Sequence, residues 1–265
     1  MLPIIAFPMI DPVAVQIGPF GVRWYALAYI AGIILAWRLV RRVAQATPAV
    51  AKPEQVDDFV TWATLGIILG GRLGYVLFYR PGHYLFSPWE IPMIWTGGMS
   101  FHGGALGVIV AAYLYCRSQK LHPLGFGDRV AVGVPIGLGL GRIANFINAE
   151  LYGRAADVPW AMVFPTDPLQ IPRHPSQLYQ AGMEGLALFT VMAILASRPS
   201  IRARFGFLTG ALIAGYGTAR VIGEFFREPD ANLGFLVAGA TMGQLLSLPM
   251  IAVGIFLMAR SKPAA

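Results

Sequence analysis

Three arginines interrupt stretches that are otherwise apolar enough to cross a lipid bilayer, and no other feature restricts this chain more. Arg72, Arg142 and Arg220 each sit inside such a stretch. A guanidinium in hydrocarbon costs on the order of 3 kcal/mol at mid-span even on lenient insertion scales. Arginine keeps its proton under essentially all conditions, so it has no neutral form to retreat to. A residue of this kind faces a protein interior or a polar cavity where an anion meets it. Three of them predict an anion site within the membrane.

The apolar background is clear in the composition. Hydrophobic residues make up 56% of the 265 and charged residues only 12%, against about 25% charged in a soluble domain. An integral membrane protein follows. A bilayer core of ~30 Å needs roughly 20 apolar residues per helix, and candidate spans lie near 22–40, 57–79, 91–116, 127–148, 176–197, 205–226 and 240–259. The span at 127–148 is diluted by Pro135 and repeated glycine. The net charge of +7 is therefore not a nucleic-acid signal, because cytoplasmic loops of membrane proteins carry excess Lys and Arg. One cysteine, Cys116, excludes an intramolecular disulfide. The first charged residue is Asp11, and no basic region precedes a short apolar core, so no cleavable signal peptide is expected.

Lys and Arg between the spans set the orientation. The segments after spans one, three and five, with the C-terminal tail, hold twelve; the opposite side holds five, Arg23, Arg80, Arg154, Arg173 and Arg227. The N-terminus is thus expected outside and the C-terminus in the cytoplasm. Gly66, Gly70 and Gly74 form one small-residue stripe, Gly133, Gly137 and Gly141 another, and Gly103 with Gly107 a third. Such stripes let helices approach closely in lipid, and we read them as packing. Residues 149–175 hold five prolines and predict an ordered external loop or small head on a single polytopic domain. The expected fold is an all-α integral membrane protein of seven transmembrane helices with a small extracytoplasmic head.

In this orientation the polar residues gather in the outer half of the membrane. Arg23 and Tyr25 lie at the outer end of span one. Arg72, Tyr75 and Tyr79 lie in the outer half of span two. His102, eleven residues into span three, is expected roughly 16 Å deep. Arg142, Asn145 and Asn148 close span four, with Glu150 just beyond. Tyr216, Arg220, Glu224 and Arg227 share one face of span six, and His174 precedes span five. Structural hydrogen bonding is the alternative for any one of these, Arg220 with Glu224 being a self-sufficient pair.

Several chemistries fit poorly. No HExxH occurs and the four histidines lack ligand spacing, so no zinc site is expected. No aspartates pair within a span, which argues against a magnesium-dependent phosphotransferase. Gly98-Met99-Ser100-Phe101-His102 misses the GxSxG elbow. Cys116, at the cytoplasmic end of span three, reads as a buried core thiol. What remains is a cationic pocket, a deep histidine and two carboxylates, Glu150 and Glu224. That set suits binding a lipid phosphate and stabilising its departure, with the nucleophile supplied by a second substrate.

The run Gly141-Arg142-Ile143-Ala144-Asn145-Phe146-Ile147-Asn148-Ala149-Glu150-Leu151-Tyr152-Gly153 resembles the signature of bacterial prolipoprotein diacylglyceryl transferases. Four further segments are similar to that family: Arg23-Trp24-Tyr25, Phe101-His102-Gly103-Gly104, Arg173-His174-Pro175-Ser176-Gln177-Leu178-Tyr179, and Tyr216 through Arg227 with Glu228-Pro229-Asp230. The resemblance runs in order from span one to span six. It implies a multi-pass protein of the bacterial cytoplasmic (inner) membrane. It implies transfer of the diacylglyceryl group of phosphatidylglycerol to the lipobox cysteine of a prolipoprotein signal peptide, releasing glycerol 1-phosphate. No cofactor and no metal is implied, and the partners are membrane lipid and a prolipoprotein, not nucleic acid.

On that resemblance Arg142 and Arg220 are expected to bind the phosphate and stabilise the leaving group, because a planar guanidinium holds two phosphate oxygens at once. His102 is the leading base for the substrate thiol, whose pKa of about 8.5 leaves it mostly protonated near neutrality. Glu150 and Glu224 are expected to orient arginines. Tyr25 and Tyr216 hydrogen-bond the glycerol or phosphate, Asn145 holds the loop or headgroup, and Gly153 permits a turn after span four. Arg72 is counted with the substrate-binding set, and Arg173 with His174 anchors the external segment. A transporter or flippase for an anionic lipid, or a lipid-presenting scaffold, would use the same pocket without breaking a bond; the internal inverted symmetry common in transporters is not evident.

Overall fold

The computed structural model describes residues 5–229, 234–236 and 239–263; Asp230, named above, lies outside them. The helices are α1 (Trp24–Gln45), α2 (Pro53–Phe78), α3 (Pro81–Phe86), α4 (Phe101–Gln119), α5 (Pro123–Ile147), α6 (Ser176–Gln180), α7 (Leu188–Ser197), α8 (Pro199–Arg202), α9 (Phe207–Glu224) and α10 (Met242–Arg260). A π-helical stretch, Ala181–Ala187, joins α6 to α7 in one rod. Four helical segments, Pro53–Phe78, Pro123–Ile147, Ser176–Ser197 and Met242–Arg260, are long and apolar enough to cross a membrane. Proline opens α2, α3 and α8, where its missing N–H has no helical partner to lose. Thr241 and Gln244 close a reciprocal capping box at the start of α10.

The fold is mostly helical but not all-α. Strand β1 (Ile5–Ala6) runs parallel to β4 (Met162–Val163), which pairs antiparallel with β5 (Pro172–Arg173). Strands β2 (Val13–Ile17) and β3 (Phe20–Arg23) form a separate hairpin. Two-residue strands are too short to show an alternating pattern in sequence. The three-stranded sheet lies beside a small core of Phe7, Phe146, Ala149 and Phe164, with Tyr152 and Met162 against it.

The chain forms two compact units, Met1–Val40 with Asp128–Ala265, and Arg41–Gly127. In the second unit α2 packs on α4 through the expected glycine stripes. A Cβ on Gly66 would lie 2.7 Å from the Gly107 carbonyl oxygen, and one on Gly74 would lie 2.7 Å from Gly103 Cα. The neighbouring α2 stripe of Leu65, Leu69, Leu73 and Leu77 is exposed, as a lipid-facing surface would be. Cys116 is buried, as expected.

Two expectations need correction. The third span does not begin at 91. Residues 88–96 form two short 3-10 turns, Pro88–Glu90 and Ile94–Thr96, and Gly97 and Gly98 follow at φ +82° and +80° before α4 starts at Phe101. Left-handed glycines and Pro92 stop the helical ladder there. The stripe on α5 is also not one seam. Gly133 abuts Ala36, and a Cβ on Gly32 would meet Gly137 Cα at 3.2 Å, but Gly141 fronts open space. Gly139, outside that stripe, makes an equally tight contact, where a Cβ would lie 3.0 Å from Gly185 Cα.

Candidate active site

In the unit that holds α5, α9 and the π-helical stretch, two arginines face two buried carboxylates. Arg142, near the end of α5, donates from Nε to Glu184 Oε2 at 3.0 Å. Glu184 sits in the π-helical stretch and its side chain is fully buried, whereas Arg142 keeps 17% of its side chain exposed. The four N–H bonds of the two Arg142 Nη groups find no protein acceptor among the described residues. The guanidinium is therefore held at its inner edge and open at its outer edge, the fork that fits two phosphate oxygens.

Arg220 on α9 is arranged similarly. Its Nη2 lies 2.7 Å from Glu224 Oε1, while Nη1 is buried without a hydrogen-bond partner among the described residues. Glu224 also accepts from Arg227 Nη1 at 3.2 Å and from the Thr241 hydroxyl at 2.6 Å. A Cβ on Gly243 would lie 2.7 Å from the Glu224 carboxyl carbon, so only glycine lets α10 start beside this carboxylate. The α10 N-terminus favours that negative charge. Tyr216 lies within electrostatic range of Glu184, Arg220, Arg142 and Glu224, and Arg220 within range of Arg142. Among the described residues the cluster gathers Arg142, Arg220 and Arg227 against Glu184 and Glu224. Tyr25, in the first turn of α1, stacks on Tyr29 at 5.3 Å, and Tyr29 lies within range of Arg142.

The signature after α5 is a rigid turn. Ala149 and Leu151 adopt φ of +53° and +56°, flanking Glu150. Side chains rarely occupy that region, and strain of this kind gathers at functional sites. Asn145 Nδ2 donates to Glu150 Oε1 at 2.7 Å. Gln177 donates to the Glu150 carbonyl at 2.7 Å and Ser176 to the Leu151 carbonyl at 2.9 Å, while the Thr166 hydroxyl donates to the Ala149 carbonyl. The His-Pro-Ser-Gln segment thus holds the turn. Arg173, next to it, makes a two-pronged pair with Asp167 at 2.6 and 3.0 Å and reaches Glu228 at 3.1 Å. Hydrogen bonding from Arg173 holds the Asp167 carboxyl below the ordinary aspartate range, against the opposing effect of burial. Burial lowers the pKa of His174, whose Nδ1 lies 3.1 Å from the Tyr179 hydroxyl.

A family model described as prolipoprotein diacylglyceryl transferase matches residues 12–260. The chain belongs to this family. Proteins named phosphatidylglycerol–prolipoprotein diacylglyceryl transferase are similar over nearly the full length. That of Azospirillum brasilense is 59% identical over 264 residues, covering 98% of this chain and 98% of that protein. That of Paramagnetospirillum magneticum is 58% identical over 256 residues, covering 96% and 95%. That of Bradyrhizobium diazoefficiens is 53% identical over 262 residues, covering 96% and 93%. The family and the apolar helices make the chain a multi-pass membrane protein.

Within this chain the expected residues divide. Arg142, Asn145, Glu150, Gly153, Tyr25, Tyr216, Arg220 and Glu224 lie in the unit formed by 1–40 and 128–265; Arg72 and His102 belong to the other. Arg72 does not present a free guanidinium. It donates to the carbonyls of Ile91 (2.7 Å), Gly97 (2.5 Å), Gly98 (3.4 Å) and Glu90 (2.6 Å) and stacks over Tyr84. Four of its five N–H donors nail down the loop before α4, a structural duty in place of the expected substrate contact. His102 is the second residue of α4, not eleven residues into a helix. Its exposed ring packs against Phe101 and makes no hydrogen bond among the described residues. Gly153 makes no turn of its own. Its Cβ would strike the Phe226 carbonyl oxygen at 2.5 Å and His174 at 2.6 Å, so close backbone approach excludes a side chain.

Sequence reasoning missed Glu184 and Thr241. Glu184 had a signal: an acidic residue in an apolar span is as costly as an arginine and calls for the same search for a partner. Thr241 had only a capping pattern, which says nothing about Glu224.

Proposed function

We propose that this chain transfers the diacylglyceryl group of phosphatidylglycerol to the lipobox cysteine thiol of prolipoproteins. One observation carries the mechanism: Arg142 and Arg220 are each held by a buried glutamate and, among the described residues, keep N–H donors without an acceptor. The substrate sulfur, as thiolate, attacks the glyceryl carbon that bears the phosphate. The C–S bond forms as the C–O bond breaks, and the electron pair stays on the phosphate oxygen. Glycerol 1-phosphate leaves with one negative charge more than it had in the lipid. Fixed donors aimed at that developing charge stabilise it without reorganising. Tyr25 and Tyr216 complete the headgroup contacts, and Glu150, fixed by Asn145 between strained residues, shapes the site. His102 takes the thiol proton; its support is an exposed imidazole, without a hydrogen bond among the described residues, in a family-like segment.

The chain works as a seven-span protein of the bacterial cytoplasmic membrane, N-terminus outside and C-terminus inside, with residues 149–175 as an extracytoplasmic head and the site in the outer half. The excess of Lys and Arg in the segments assigned to the cytoplasm supports this orientation. The test is purified protein in phosphatidylglycerol vesicles with a one-cysteine lipobox peptide, followed by mass spectrometry. A diacylglyceryl adduct, absent from a Cys→Ser peptide, is expected. Folded protein that binds the lipid yet forms no adduct would instead be a carrier or scaffold.

A further inference from the structure

We propose that Glu184 is a positioning residue: it fixes Arg142 through Nε and so aims the two Nη groups at the substrate phosphate. This rests on the phosphate-binding role proposed for Arg142. Glu184 belongs to none of the segments that resemble the family in sequence. It lies 42 residues from Arg142 along the chain and is brought to it by one tight crossing. A Cβ on Gly185 would lie 2.6 Å from Gly139 Cα, so α5 and the π-helical stretch touch backbone to backbone. Arg142 is three residues after Gly139 and Glu184 immediately precedes Gly185, so the crossing sets both ends of the pair. The π-helical stretch adds a local register change, a device frequent at functional sites.

The pair is incomplete as a purely structural bridge. A self-sufficient arginine–carboxylate pair uses two N–H bonds and both oxygens. Here only Nε and Oε2 meet. Among the described residues Glu184 Oε1 is buried with no hydrogen-bond partner, and the Arg142 Nη groups face no acceptor. A carboxylate buried this fully is expensive to retain. Its geometry spends that cost on orientation, leaving the outer fork for a ligand.

The experiment compares E184A and E184Q with wild type, full-length in phosphatidylglycerol vesicles. It measures kcat and KM for the lipid by peptide lipidation, with thermal melts in detergent alongside. A misplacement near 1 Å costs about 100-fold, so E184A is expected to lose about that in kcat. The E184Q amide oxygen still accepts from Nε, so about tenfold or more of the loss should return. With one negative charge removed from the cluster, its KM should not rise. Wild-type kcat in folded E184A would overturn the proposal. So would E184Q as slow as E184A when both melt normally, because charge rather than orientation would then matter. If E184A does not fold, E184Q decides: a loss under about tenfold supports positioning, and about 100-fold or more refutes it. Absence of adduct from wild type would instead remove the transferase reading itself.

Discussion

Gly185→Ala perturbs the crossing that joins Arg142 to Glu184 without touching either charge. The new Cβ would lie 2.6 Å from Gly139 Cα, and ordinary contact begins at 3.4 Å. The helices must therefore part by about 0.8 Å at this point. Overpacking of this size costs about 1–3 kcal/mol. The 3.0 Å bond from Arg142 to Glu184 would lengthen toward 3.8 Å, beyond hydrogen-bond range. Displacement of a catalytic group by nearly 1 Å costs on the order of 100-fold in turnover. The assay pairs thermal unfolding in detergent with vesicle lipidation. The expected result is a modest loss of stability with a disproportionate loss of kcat. Gly185→Ala that melts and turns over like wild type would refute the reasoning, because the crossing would then not set the pair. As a comparison, Ala at Gly141, which fronts open space, should change stability little.

Other changes separate the roles further. Arg142→Lys should insert and fold but lose about 100-fold in activity, since a point charge replaces an oriented fork; near-normal turnover would remove its leaving-group role. Arg72→Ala should destabilise by roughly 3 kcal/mol, because it removes the buried charged donor that holds the carbonyls of Glu90, Ile91 and Gly97, and should expose residues 88–98 to protease even with lipid bound. His102→Gln should shift the pH–rate profile to higher pH as the base is lost; an unchanged profile with low activity would make the histidine structural. Asp167 has a folded pKa below the ordinary 3.8, so the unfolded chain binds more protons in that window. The stability it confers is complete above 3.8 and is lost as pH falls through the folded value. Protection of residues 153–173 in hydrogen exchange should fall in that acid range, and Asp167→Asn should remove this acid dependence while lowering stability near neutrality.

Much of this protein is written locally. Long apolar runs, sparse charge and the Gly66, Gly70, Gly74 stripe report a membrane protein and its closest helix seam, because helical periodicity places those glycines on one face whatever surrounds them. The run from Gly141 to Gly153 marks the family and contains Arg142, Asn145 and Glu150. The strained turn around Glu150 was not legible, since its hydrogen bonds come from Ser176 and Gln177, and nothing near Ala149 or Leu151 signals a positive φ. The helical position inferred for His102 differs for a related reason. Apolar residues 91–100 suit a helix in composition, but Pro92, Gly97 and Gly98 break the ladder and move its start to Phe101.

The sequence alone determined that three arginines lie where only a protein interior or an anion can hold them. Only the tertiary structure decided which condition applies to each. Arg72 is occupied by backbone carbonyls 18 to 26 residues away, Arg220 is held by Glu224 one turn along the same helix, and Arg142 by Glu184 from another helix. A guanidinium has five N–H donors in one rigid plane. The acceptors the fold carries to that plane settle how many remain for a substrate.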